Sequence, residues 1–382
     1  MTPCYDRLYA KIDLDAIRYN LKNIKDTLKP GTGVLAVIKA DAYGHGACEI
    51  ARAINDEIAM AGVAGVSEAL ELRKVFAKPI LVLGYTHESQ FERAVENNIT
   101  LTVFDAENCG RLSETALKIG KTALVNIAVD TGMRRIGVMP SDSGLEEVRK
   151  IAALPGIKIT GIFSHFAKAD ESAETETAKQ KALFDGFCER LRADGIEFGT
   201  AHITNSAGIM RRLSDYGIVR AGIILYGCYP SGEMDKSLLS IRPAMSLITR
   251  IVSIRTLARG EGVSYGHTFV ADKDMKIATL SAGYADGVPR LLSNRGEVII
   301  RGVRCPIVGR VCMDQFMVDV SALGCNANVG DEAIIFGDGL PVEEVAEKGG
   351  SFNYELLCRI TRRVPRIYYE GGKPVKIVEY NI

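Results

Sequence analysis

Lys39 closes a short apolar run, Val34-Leu-Ala-Val-Ile, and Tyr43, His45 and two glycines follow it within seven residues. A lysine that ends an apolar strand stands at the rim of a core, where desolvation lowers its pKa and frees its amine. A free amine can attack a carbonyl and hold it covalently. Gly44 and Gly46 allow a tight turn and a close backbone approach to a ligand. A surface lysine snorkelling from a strand end would leave the same window, so other groups must decide. Asp130-Thr-Gly-Met-Arg134-Arg135, Ser164-His165, Asn205-Ser206 and Arg220-Ala-Gly222-Ile223 each also follow an apolar run. Singly they read as ordinary residues: His165 as a core histidine, Asp130 as a turn or cap residue, Arg220 as a rim cation. The Asn205-Ser206 and Arg220–Ile223 segments together suit a phosphate, because a hydroxyl and glycine-exposed N–H groups are good donors. No G-x-G-x-x-G or Walker loop offers a rival nucleotide site.

The elements that must position these groups alternate. Eight short apolar runs are candidate strands: Val34–Ile38, Gly62–Val66, Ile80–Gly84, Thr100–Phe104, Ala123–Val129, Ile159–Phe163, Ala201–Thr204 and Ile218–Ala221. Helical periodicity lies between them. Leu14, Ile17, Leu21, Ile24 and Leu28 follow a 3.6-residue period, and further patterns run near Ala47–Ile54, Ser67–Phe76, Glu88–Glu96, Glu107–Lys118, Gly144–Ala152 and Ala178–Leu191. Ser67 and Asp105 read as helix caps. This alternation predicts an α/β (β/α)8 TIM-like barrel, with the polar groups above at the C-terminal ends of its strands, where barrels keep their chemistry.

The texture changes after Tyr229. From Pro243 onward, β-branched runs punctuated by glycine predict a mostly β C-terminal domain: Leu247–Leu257, Lys276–Leu280, Glu297–Arg301, Phe316–Val320, Asp331–Phe336 and Pro374–Tyr380. The expected division is therefore a barrel over residues 1–240 and a β domain over 241–382. The second part carries Gly262-Val-Ser-Tyr265-Gly-His, Gly283-Tyr284-Ala-Asp-Gly287 and Val308-Gly-Arg-Val-Cys-Met313-Asp314-Gln. Taken alone, Tyr265 and Tyr284 read as hairpin tyrosines packing their rings.

Composition narrows the classes. At 382 residues the chain is long enough for two domains. Its 47 basic residues balance 47 acidic ones, which gives no reason to expect a nucleic-acid or anionic-membrane partner. No apolar run approaches the roughly 18 residues of a membrane helix. Nine cysteines are scattered without a C-x-x-C pair, which points to reduced thiols in a cytoplasm and to no metal site. The N-terminal segment reads as neither signal peptide nor anchor.

Three motifs in this order, A-V-I-K-A-D-A-Y-G-H-G, S-Y-G and G-R-V-C-M-D-Q, resemble alanine racemases, and the resemblance runs from about Tyr9 to Tyr368. That family is a barrel plus a β domain, uses pyridoxal 5'-phosphate and works as a head-to-tail homodimer on a small amino-acid substrate. The resemblance implies that residues 1–13 pair with the C-terminal domain. It makes Lys39 the cofactor-carrying lysine and Tyr265 the second base, reaching the partner subunit's barrel. Tyr43, Ser206, Gly222, Ile223 and Tyr354 would hold the phosphate, beside Asn205. Arg220 would meet the pyridine nitrogen, and His165 would link Tyr265 to Arg220. Arg135 and the backbone N–H of Met313 would bind the substrate carboxylate, with Tyr284 and Asp314 near the entrance.

Those roles make physical sense. Racemisation removes a proton from one face and returns one to the other, so two bases are expected, each with its pKa brought toward the working pH. A guanidinium at the pyridine nitrogen cannot readily give up its proton, which weakens the cofactor as an electron sink and disfavours transamination. The chain departs from the family at Ala128, where many members have a carbamylated lysine that positions the arginine equivalent to Arg135; Asn126 or a bound anion is the expected substitute. Arg134 stands where many members have a small residue. The expected activity is interconversion of L- and D-alanine for peptidoglycan. A serine or broad-specificity racemase, a decarboxylase of the same cofactor fold and a non-catalytic cofactor carrier are the alternatives. The decarboxylases usually show a glycine-rich phosphate segment and a C-terminal cysteine-aspartate pair that this chain lacks, and the carriers have no second domain.

Overall fold

The computed structural model describes residues 7–171, 175–213 and 216–380. It forms two compact units, one drawn from Ile17–Ala42 and Ala47–Arg242, the other from Met1–Ala16, Tyr43–Gly46 and Pro243–Ile382.

The first unit is the barrel. Its strands are β2 (Gly33–Val37), β3 (Met60–Val63), β4 (Ile80–Val82), β5 (Ile99–Val103), β6 (Ala123–Ala128), β7 (Ile157–Phe163), β8 (Thr200–His202) and β9 (Ile218–Ala221), after an earlier β1 (Leu8–Asp13) that belongs to the other unit. They pair in parallel in the order β8-β7-β6-β5-β4-β3-β2-β9, and β8 lies beside β9 at the seam. Every residue of β4 and β5 is buried, as expected of parallel strands covered on both faces. Helices follow the strands. The helix Leu14–Asp26 buries Ile17, Leu21 and Ile24. Its Asn20 amide donates to the carbonyls of Leu225 and Arg242 and its oxygen accepts from the Arg242 N–H, which fixes the end of the barrel to its first helix. Asp105 caps Ala106–Lys118 as expected, accepting from the Asn108 N–H at 2.6 Å. Ser67 does not cap: its helix starts one residue earlier, at Val66, behind Gly65.

The second unit is mostly β. Its strands run β13-β16-β15-β14-β17-β10-β1-β18-β19, comprising β10 (Met245–Leu257), β13 (Met275–Leu280), β14 (Glu297–Ile300), β15 (Val303–Val308), β16 (Phe316–Asp319), β17 (Glu332–Phe336), β18 (Arg366–Glu370) and β19 (Lys373–Val378), with a small hairpin of β11 (Gly262–Val263) and β12 (Phe269–Val270). The 13-residue β10 has a register break between Ile251 and Ser253. Such a break bends a strand, and β10 pairs with β17 over Leu247–Arg250 and with β13 from Ile251 onward. Six strands thereby close on themselves around Leu257, Val263, Met275, Ile277 and Val308. β1 lies antiparallel to β10 and parallel to β18, so the first described strand stands inside the sheet.

Candidate functional site

In the barrel unit, Lys39 follows β2 and is half-buried. The four residues after it, Ala40, Asp41, Ala42 and Tyr43, all have φ between 52° and 55°. Left-handed backbone costs a non-glycine residue about 1–2 kcal/mol. The turn is held: the Ala42 N–H donates to Ile38 O at 2.9 Å, and Asp41 Oδ1 accepts from the Ala47 N–H at 2.8 Å, where the next helix starts.

Arg220 on β9 is only 4% exposed. Its guanidinium donates to the carbonyls of Ser164, His202 and Ile203 at 2.7–3.1 Å, to His202 Nδ1 at 2.8 Å and to His165 Nδ1 at 3.0 Å. A guanidinium only donates, so both Nδ1 atoms are acceptors and both histidines carry their proton on Nε2. Electrostatics agrees. Burial, then the charges of Arg220, Arg135 and Lys39, hold His165 well below the ordinary histidine range; burial and then Arg220 do the same to His202. Burial, then Arg135, pull Arg220 down to about 9, still a cation at neutral pH. His202 Nε2 lies 3.3 Å from the Asn126 amide group. The other end of that amide lies 2.9 Å from Thr160 Oγ1, itself 3.2 Å from Val125 O. Because the His202 nitrogen carries a proton, the amide orientation that satisfies it presents the Asn126 oxygen to His202 and the NH2 to Thr160. Gln180 fixes the loop beyond: its amide donates to His165 O at 3.0 Å and to Thr131 Oγ1, and its oxygen accepts from the Ala167 N–H.

Two short helices start side by side next to this cluster. Asn205 caps Ser206–Met210, accepting from the Gly208 N–H at 3.0 Å, and Gly222 precedes the 3-10 turn Ile223–Tyr226. The Gly222 N–H donates to Ser206 Oγ at 3.0 Å, joining the two starts, and Tyr226 Oη donates to Val37 O at 2.8 Å, close to Lys39. Adjoining helix N-termini with a hydroxyl form a cradle for an anionic group.

The β unit gathers the rest. Tyr265 is 71% exposed, so it does not pack its ring as the single-residue reading expected. With His267, Met313 and Asp314 it lines a cleft of about 760 Å³. Ser264, at φ 63°, ties the Tyr265 turn to the neighbouring segment by donating its hydroxyl to Arg310 O at 2.8 Å. The Tyr284 N–H donates to Cys312 O and the Ala285 N–H to Met313 O, so the Tyr284 turn and the Met313 loop are one piece. A Cβ on Gly283 would lie 2.1 Å from Met313 O. Behind them, fully buried Asp286 accepts two hydrogen bonds from Arg7 and one from the Gly283 N–H, and Arg363 bridges Asp286 and Asp314. Tyr43 and Tyr354 face each other with ring centroids 6.1 Å apart.

The expected site residues therefore fall into two groups. Lys39, His165, Arg220, Asn205, Ser206, Gly222, Ile223 and Arg135 belong to the barrel unit; Tyr43, Tyr354, Tyr265, Tyr284, Met313 and Asp314 to the β unit. Arg135 is exposed, because Gly132–Arg135 stand out from the barrel end behind Asp130, whose carboxylate takes the N–H groups of Gly132 and Arg134. One expectation needs correction. Asn126 does not reach for Arg135, being committed to His202 and Thr160. The sequence reading also overlooked His202, although a histidine ending an apolar run is the same signal that picked out His165.

The comparisons agree with this geometry. The family profile "Alanine racemase, N-terminal domain" matches residues 12–230, and "Alanine racemase, C-terminal domain" matches residues 244–368. An alanine racemase of Desulforamulus reducens is 46% identical, covering 94% of this chain and 98% of that protein; one of Clostridium novyi is 43% identical, covering 98% of each. Among solved structures, alanine racemase from Clostridium difficile superposes with a TM-score of 0.96 at 40% identity, covering 98% of this chain and 99% of that one. The Bacillus anthracis enzyme with bound L-Ala-P gives 0.91 at 35% identity, covering 99% of each. A barrel of this order, a β unit carrying these motifs and full-length similarity make the chain a member of the alanine racemase family.

Proposed function

We propose that the protein is a pyridoxal 5'-phosphate-dependent amino-acid racemase that interconverts L- and D-alanine and supplies D-alanine for peptidoglycan. The observation that carries this is the Arg220 cluster: a buried cation whose close acceptors are carbonyls and two neutral histidines. The donor set suits the cofactor, with an anion cradle at Ser206, Gly222 and Ile223 and a lysine at the end of the adjoining strand. When bound, the cofactor withdraws electrons from the amino acid's α-carbon and makes its proton removable. Lys39 Nζ takes that proton from one enantiomer and returns it to form the same one from the other. Tyr265 Oη does so on the opposite face. His165 keeps Nδ1 on Arg220, so its Nε2–H is free of that bond and serves as donor to Tyr265. Arg220, a cation at neutral pH, would withhold a proton from the pyridine nitrogen and so favour racemisation over transamination. Arg135 and the Met313 N–H receive the substrate carboxylate. Tyr43 and Tyr354 complete the phosphate contacts, and Tyr354 keeps the side-chain pocket small.

In the same reading the working form is a head-to-tail homodimer, supported by the exposure of Tyr265, Tyr284 and Met313. Its place is the cytoplasm, supported by eight free cysteines among the described residues and by the lack, among those residues, of a helix long and apolar enough to cross a membrane. The division into a barrel over 1–240 and a β domain over 241–382, with residues 1–13 added to the latter, is supported by the change of unit at Pro243. Incubation of cofactor-loaded protein with separate L-amino acids, followed by chiral analysis, tests the proposal. D-alanine should form fastest; faster D-serine replaces the substrate assignment, and release of carbon dioxide without racemisation overturns the reaction class.

A further inference from the structure

We infer that Glu68 is a positioning residue for Lys39: its carboxylate straps the left-handed turn after the lysine to the end of the neighbouring barrel strand. The inference rests on the reading of Lys39 as the cofactor-carrying lysine. Glu68 is the third residue of the helix Val66–Arg73, which follows β3. Oε1 accepts from the Ala40 N–H at 2.8 Å and Oε2 from the Ala64 N–H at 2.7 Å. Ala40 follows Lys39 directly, and Ala64 follows the last residue of β3. β2 and β3 are parallel neighbours, and the Ile38 N–H to Gly62 O bond is the last rung before their ladder stops. The carboxylate therefore bridges the two strand ends where backbone pairing runs out.

The place of the grip matters. Ala40 is the first left-handed residue, the point at which the chain leaves strand geometry. Such a conformation persists only where its surroundings over-determine it. Asp41 secures the far side of the turn through the Ala47 N–H, and Glu68 secures the near side. With both held, the Cα of Lys39 lies between a strand and a fixed turn, which sets where its side chain leaves the backbone. A carboxylate that merely complemented the helix N-terminus would need its charge near the first turn and no bond to either strand end. Here each oxygen has one strand-end N–H, and such charge-assisted bonds are the strong ones.

Three variants separate these roles. Glu68→Ala removes the strap. Glu68→Asp keeps the charge near the helix start on a side chain one methylene too short to reach both N–H groups. Glu68→Gln loses the charge and keeps one accepting oxygen. In protein freed of cofactor, amide hydrogen exchange resolved to single residues should be slow at Ala40 and Ala64. In Glu68→Ala both should exchange about ten- to a hundredfold faster, as loss of a bond to a charged acceptor implies, while Leu35 and Val37 of β2 stay protected. Titration with pyridoxal 5'-phosphate should show weaker binding for Glu68→Ala and Glu68→Asp, with Glu68→Gln between them and the parent. In the loaded enzyme kcat should fall more than KM rises. Unchanged exchange at Ala40 together with unchanged cofactor affinity in Glu68→Ala overturns the strap, and parent-like behaviour of Glu68→Asp replaces it with a dipole role. Should Glu68→Ala fail to fold, Glu68→Gln and Glu68→Asp carry the same comparison. A parent protein that neither binds the cofactor nor racemises alanine would sink the functional reading, while the exchange result would still decide the strap.

Discussion

At the scale of single residues, the Arg220 cluster ties chemistry to stability. His165 and His202 are neutral in the fold, with pKa values held well below the ordinary range by burial first. In the unfolded chain they take a proton near pH 6.5. The unfolded state therefore binds more protons below that pH: stability is complete above it and is lost as the pH falls toward the folded values. Two such groups imply a slope of up to about 2.7 kcal/mol per pH unit, which urea unfolding between pH 7 and 5 would measure. Asn126→Ala leaves the His202 Nε2–H without its acceptor and should destabilise by about 1–3 kcal/mol, again read by urea unfolding. Ala128 on β6 has no amine to carbamylate, so racemase activity should be unaffected when bicarbonate and carbon dioxide are removed. Tyr265→Phe should slow proton removal from L-alanine by about a hundredfold or more while cofactor binding is kept, the loss expected of a general base. Lys39, Arg220 and His165 were legible in the sequence because polar residues at the ends of apolar runs stand out. His202 ends an apolar run too and carries the same signal. Glu68 and the bonds of Asn126 have none, because their partners are backbone atoms or side chains far away in sequence.

At the scale of elements, the strands of the barrel were visible as apolar runs; the observed β9 has the expected bounds and the others shift by a few residues at either end. Four β-unit strands escaped: the two-residue β11 and β12, and Val303–Val308 and Arg366–Glu370, one interrupted by Pro306 and the other placed directly after Pro365. The short helices Val342–Lys348 and Asn353–Cys358 offer too few turns for a period to show. The left-handed run after Lys39 could not be read at all, since no alanine prefers that conformation; the carboxylates of Asp41, within it, and Glu68, 28 residues beyond Ala40, hold it. Gly283 shows the same principle in a loop. Its φ is −159°, open to any residue, so Gly283→Ala is purely a steric change. The added methyl would push on Met313 O and part the Tyr284 turn from the Met313 loop. Steady-state kinetics should show KM for alanine rising severalfold with a smaller change in kcat, the signature of lost ground-state binding.

At the scale of the whole molecule, the proposed homodimer makes a complementation test. Lys39→Ala and Tyr265→Ala proteins are each expected to be inactive. Mixed under conditions of subunit exchange, they form heterodimers with one intact and one doubly damaged site, so activity should return toward about a quarter of the parent value if half the dimers are mixed and each has one working site. No recovery despite verified exchange would place Lys39 and Tyr265 of a site in the same chain. The position of β1 has a consequence for synthesis. It leaves the ribosome ahead of the barrel strands, yet its neighbours in the sheet are β10 and β18, and β18 begins at Arg366. At about 5–20 residues per second, β1 waits some tens of seconds for its last neighbour. During translation it is a strand still short of its last neighbour, preceding a barrel that is already complete, open to chaperones and to the wrong partners alike.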